Sequence, residues 1–135
     1  MKIFKVNSVT LAPGKYVISD PCYQVPREHW AELLESCDYF QGQIVGWYLP
    51  GEQNEKVQVV SFGTDYGDGC YFDQEGFEYS VDAGMIGIIL VDDLPNGTTG
   101  QGRIVEFDKP FECYEEDGVI NFGHIAIGSK RRNLL

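Results

Sequence analysis

Tyr79-Ser80-Val81-Asp82-Ala83-Gly84-Met85-Ile86-Gly87-Ile88-Ile89-Leu90-Val91 is the stretch that decides the fold of this chain. Met85–Val91 is a continuous apolar run of strand length, and it reads as a strand buried on both faces. Phe77–Val81 ahead of it has strand character, and Asp82 stands between the two with small residues after it. Working outward, Lys2–Val6, Lys15–Ser19, Gln43–Tyr48, Val57–Phe62 and Cys70–Phe72 read as strands. Gly102–Phe107, Phe111–Tyr114 and Val119–Ile127 complete the set, most of them bounded by Gly, Pro, Asn or Asp turn chemistry. Asp117-Gly118 signals a type I′ hairpin, because glycine accepts the positive φ that this turn needs. Gln74-Glu75-Gly76 marks another hairpin.

One segment has a different period. Trp30, Leu33, Leu34 and Cys37 recur at helical spacing, with Glu28, Glu32 and Glu35 elsewhere. Pro26 suits a first helical turn, where its missing N–H is not needed. The sequence therefore predicts a mainly β (α+β) fold: a single-domain antiparallel sandwich or partly open barrel, with one amphipathic helix at about 26–37. The domain spans 1–129, and 130–135 is a basic, frayed tail.

At 135 residues the chain suits one hydrophobic core, and its 13% aromatic content separates it from disordered acidic chains. The formal net charge is −11, and Lys130, Arg131 and Arg132 lie in the tail, so the folded body is more acidic than the total. Such a surface disfavours nucleic-acid phosphates and anionic membranes, and favours basic proteins or cations. The start Met1-Lys2-Ile3-Phe4-Lys5 lacks the apolar core of an export signal, and no apolar run has the length of a membrane span. The expectation is a cytoplasmic protein in which Cys22, Cys37, Cys70 and Cys113 are reduced thiols.

Between Lys56 and Arg103 there is no lysine or arginine, but there are eight carboxylates: Asp65, Asp68, Asp73, Glu75, Glu78, Asp82, Asp92 and Asp93. Phe62, Tyr66, Tyr71, Phe72, Phe77 and Tyr79 are interleaved with them. This charge must be solvated, paired with distant cations, bound to a metal or presented to a basic partner. Three clusters are candidates for chemistry. In Ser19-Asp20-Pro21-Cys22-Tyr23, Asp20 is a candidate ligand or acid/base, and Cys22 a nucleophile if His29 or His124 serves as its base. The plainer reading has Asp20 cap the turn and Cys22 fill space. Around Thr64–Asp73, the carboxylates Asp65, Asp68 and Asp73 can wrap Ca or Mg, although the EF-hand pattern is absent and Asp-Gly is also a common hairpin corner. Asp82 either joins Asp20 and Asp68 in one acidic cleft or bonds the backbone of its own turn. Trp30 reads as a core anchor.

The motifs Gly14-Lys15-Tyr16-Val17-Ile18-Ser19-Asp20-Pro21-Cys22-Tyr23, Tyr66-Gly67-Asp68-Gly69 with Tyr71, and Val81-Asp82-Ala83-Gly84 with Ile86-Gly87-Ile88 together carry a resemblance. Over about residues 12–92 the chain resembles small hypothetical proteins of tailed bacteriophages and prophages. These share GxYxIxDPCY and a later YGDGxY…YxVDAGxIGI block. The resemblance implies an origin and draws attention to Asp20, Asp68 and Asp82, and it transfers no activity. The expected function is a non-enzymatic, acidic protein-binding module acting on a basic host or phage protein, in one version a host nucleic-acid-binding or defence protein. Asp65, Tyr66, Asp68, Tyr71, Asp73, Glu75 and Glu78 are its expected binding residues. One alternative is a divalent-cation-dependent hydrolase or ligand-binding domain using Asp20, Asp68 and Asp82. Another is a virion or assembly component.

Overall fold

The apolar run expected to be covered on both faces is the strand Met85–Leu90, and it lies at the centre of a five-stranded antiparallel sheet. The computed structural model describes residues 8–51 and 55–129. Its strands are β1 Ser8–Leu11, β2 Gly14–Ser19, β3 Val45–Tyr48, β4 Val57–Gly63, β5 Gly69–Phe72 and β6 Glu78–Val81. They continue with β7 Met85–Leu90, β8 Arg103–Phe107, β9 Phe111–Glu116, β10 Val119–Phe122 and β11 Ile125–Gly128. The large sheet has the order β3-β4-β7-β2-β8, a second sheet has the order β1-β9-β10-β11, and β5-β6 is a separate hairpin.

The two-residue strand period divides the large sheet between two cores. Tyr16, Ile18, Val60, Phe62, Ile86 and Ile88 point to one face, where they meet Phe111, Cys113, Ile120, Phe122 and Ile127 of the second sheet. Tyr71, Tyr79 and Val81 of the hairpin close that same core. Val17, Tyr48, Val57, Val59 and Ile89 point to the opposite face, where Val25, Leu33 and Leu94 cover them. The central strand has apolar residues at both parities because it serves both cores. The architecture is an open sandwich with a third, partly helical layer, consistent with the expected α+β sandwich, and it is not a closed barrel.

The third layer holds the helix α1, Trp30–Ser36, which is shorter than the expected 26–37. Arg27–His29 forms a 3-10 turn after Pro26, and Cys37 already has non-helical backbone angles. Leu33 is the buried residue of α1. It sits over Gly46 of β3, where an added Cβ would come within 2.9 Å of a Leu33 methyl. The helix also covers the outer edge of β3. Ser36 Oγ accepts the Trp47 N–H at 2.8 Å, and Glu32 Oε2 accepts the Leu49 N–H at 2.9 Å. Side chains thus take up backbone donors that would otherwise invite another strand.

Other expectations divide. Asp117 (φ 55°) and Gly118 (φ 83°) both have positive φ between β9 and β10, as a type I′ hairpin requires. Gly76 lies in the β5–β6 connection with φ 85°. The single strand expected over Val119–Ile127 is instead two, paired as a hairpin through Gly123 and His124. Gly123 has φ 59°, and an added Cβ there would lie 2.7 Å from the Phe107 ring. The first described strand is β1, whereas the expected strand Lys2–Val6 and the tail 130–135 fall outside the described residues. Among those described, no helix is long and apolar enough to cross a membrane.

Candidate functional site

The three motif segments meet on one side of the large sheet. Asp20 opens a 3-10 turn, Pro21–Tyr23, and is fully buried. Its Oδ1 accepts the Cys22 N–H at 3.0 Å, and its Oδ2 accepts the N–H groups of Asp82 and Ala83 at 2.8 and 2.6 Å. One carboxylate therefore ties the turn after β2 to the turn before β7. The second turn holds the third segment, since Gly84 C=O accepts the Thr64 N–H at 2.9 Å. Thr64 Oγ1 and the Tyr71 hydroxyl both donate to Gly67 C=O, at 2.7 and 2.8 Å, which shapes the 64–69 loop. Tyr23 closes the group by donating its O–H to Asp82 Oδ2. Close packing accounts for Gly87 as well: an added Cβ would lie 2.8 Å from Val60 C=O and 3.0 Å from the Pro21 ring.

Negative charge accumulates at this junction. Burial pushes the Cys22 thiol up to about 12, and the charges of Asp20, Asp82 and Asp68 add to it, as does a hydrogen bond with Asp20. Asp20, Asp68 and Asp82 therefore all act electrostatically on one thiol. The Tyr23 phenol is also held well above its ordinary value, first by its hydrogen bond to Asp82 and then by burial. The upward direction at Cys22 favours the protonated thiol near neutral pH and is opposite to the lowered value of an activated nucleophile. The proposed bases are engaged elsewhere. His29 Nδ1 faces Glu32 at 3.3 Å and its ring stacks on Tyr48, whereas His124 lies edge-on to Phe107.

The expected binding set separates into an exposed part and an internal part. Asp65, Asp68, Glu75 and Glu78 are exposed, as is Tyr66 at 55%. Tyr71 is fully buried and Asp73 nearly so, so neither is available as a contact residue. Asp73 Oδ1 accepts the N–H groups of Glu75 and Phe77 at 2.9 and 3.0 Å. Its Oδ2 accepts the Tyr79 hydroxyl at 2.8 Å and Arg103 at 2.6 Å, and Arg103 also pairs with Glu75. Burial alone would raise the Asp73 carboxyl, but Tyr79, Phe77, Arg103 and Glu75 as donors outweigh it and hold it below its ordinary range. Both Asp73 oxygens are thus occupied by donors of the fold, whereas Asp65 and Asp68 are exposed. Among the described residues, no three His, Cys, Asp or Glu side chains are arranged to hold a metal ion.

Beside the junction lies a groove of about 400 Å³, lined by Cys22, Val25, Arg27, Trp30 and Ala31. Trp30, read from the sequence as a core anchor, packs against the core around Val25 and Leu33, is partly buried, and also lines this groove. Gln24 is a second residue that the sequence did not mark. Its side chain bonds Ser19, Thr99 and Gln101 C=O and accepts the Thr99 N–H, fastening the glycine-rich loop beside the site. The chemistry on offer is fixed negative charge and aromatic surface beside an apolar groove. No protein-family model, curated protein or solved structure matches the chain.

Proposed function

We propose that this chain is a non-enzymatic, acidic protein-binding module of the bacteriophage type, which docks a basic host or phage protein in the cytoplasm. One observation carries the reading. Segments from three distant parts of the chain converge so that Asp65, Asp68 and Asp82 are exposed together near Tyr66 and Tyr23. Among the described residues, no lysine or arginine lies within ion-pair distance of these three carboxylates. Unneutralised charge on a rigid frame speeds encounter with a cationic partner and makes binding salt-sensitive. The aromatic rings supply contact area at small entropic cost. In the version aimed at nucleic-acid-binding proteins, the carboxylates stand where phosphates would lie.

The test is capture from host lysate at low and high salt, comparing the natural chain with Asp65→Asn/Asp68→Asn/Asp82→Asn. Asp73 stays intact, because its carboxylate belongs to the fold. The expected result is one basic protein held at low salt, released at high salt and absent from the variant. Duplex DNA competing for that partner would support the mimicry version. Equal capture by chain and variant, or capture indifferent to salt, would remove the acidic face from the function.

A further inference from the structure

The groove beside the acidic junction has a composition that specifies more than charge. It is lined by the buried Val25, the partly buried Trp30 and Cys22, and the exposed Ala31. Cys22 adjoins the acidic junction, since its N–H and that of Asp82 share the Asp20 carboxylate and the neighbouring Tyr23 donates to Asp82. Arg27, in the same lining, is exposed. A volume of about 400 Å³ has room for an apolar side chain such as Leu or Met, within the usual range for ligand pockets.

We infer that the Trp30 groove and the Asp68–Asp82 rim form one docking site for a peptide segment of a partner protein. This segment has a Lys or Arg that reaches the carboxylates and an adjacent apolar side chain that enters the groove. The inference rests on the acidic-face reading and deepens it by naming the partner's chemistry. Charge complementarity selects the cationic residue, and burial against Trp30 and Val25 selects the apolar neighbour. Charge steers the encounter, and the apolar anchor lengthens the complex lifetime. The neutral Cys22 thiol suits this role, because a protonated thiol behaves as a small apolar surface between the two halves.

Synthetic peptides and Trp30 fluorescence provide the test. A Trp47→Phe background leaves Trp30 as the reporting tryptophan. Three blocked peptides are titrated: one with Lys and Leu adjacent, one with Leu replaced by Ala, and one with Lys replaced by Gln. The Lys–Leu peptide is expected to change Trp30 emission in a salt-sensitive way. Replacing Leu should weaken binding about tenfold, the scale of burying one such side chain. Ala31→Gln, on the exposed side of the helix, narrows the groove without touching the core and should abolish the advantage of Leu over Ala. If both Lys peptides bind equally in a salt-sensitive manner and Trp30 emission is unchanged, the groove inference fails while the acidic-face reading stands. If no peptide binds at low salt, both fail.

Discussion

Asp20 and Asp73 are both buried, and each accepts the N–H two residues ahead before reaching across to another part of the chain. They differ in what neutralises them. Asp73 meets a guanidinium, and Arg103 supplies one positive charge that it shares between Asp73 and Glu75. Asp20 meets backbone N–H groups of Asp82 and Ala83, which solvate the charge but do not cancel it. The β5–β6 connection therefore holds a counter-charge of its own, whereas the carboxylates around Cys22 have no lysine or arginine within ion-pair distance among the described residues. Two carboxylates with almost the same local turn produce a structural clasp in one place and a charged surface in the other. The distant partner decides the outcome, not the turn.

Removing the clasp should have the largest effect. Asp73→Asn leaves Arg103 facing an amide and is expected to cost about 3 kcal/mol, as when one member of a buried ion pair is lost; urea unfolding reads it. The pH dependence sharpens the point. The Asp73 carboxyl is depressed in the fold from its ordinary 3.8. Its stabilisation is therefore complete above that value and is lost as pH falls through the lower, folded one. The difference between the natural chain and Asp73→Asn should be constant near neutrality and shrink under strong acid. An unchanged gap there would remove the carboxylate's ionisation as the cause.

Asp20→Asn keeps the shape of the side chain and loses charge-assisted acceptance of three N–H groups. It should cost about 2 kcal/mol. A cost equal to that of Asp73→Asn would mean that amides and a guanidinium hold a buried carboxylate equally well, which would erase the contrast. Tyr79→Phe removes one donor to Asp73 and should cost about 1 kcal/mol. The smallest stability change belongs to Asp68→Asn, within about 0.5 kcal/mol because the side chain is exposed. It should nevertheless speed alkylation of Cys22, read by mass spectrometry, since one of the charges that hold the thiol up is gone.

Much of the fold was legible because periodicity and turn chemistry are local. The run at Met85–Leu90 declared its two-sided burial through its unbroken apolar character, and Asp117-Gly118 declared its turn through the φ it can adopt. The break inside Val119–Ile127 was hidden, since Phe122 and Ile125 continue the apolar pattern on either side of Gly123-His124. The short helix was overestimated because Pro26 and the following residues fit a helical start, while the backbone closes first as a 3-10 turn. The candidate site was half legible. Their turn positions and the shared motifs marked Asp20, Asp68 and Asp82, but nothing in a linear pattern pairs Arg103 with Asp73. That bond spans 30 positions and depends on how the β5–β6 hairpin meets the large sheet. The Trp30 groove was equally hidden, because a tryptophan at helical spacing looks the same from the sequence whether its far side faces core or solvent.

The cover over β3 ties the fate of two strand amides to a helix of only seven residues. The N–H groups of Trp47 and Leu49 are closed by Ser36 and Glu32, not by a neighbouring strand. In deuterium exchange these two amides should keep the helix's clock, opening when α1 frays while the remaining β3–β4 amides stay protected. Each such opening uncovers a short, unpaired sheet border. A helix loosened by mutation or heat would then turn a covered sheet edge into a seed for strand-to-strand association.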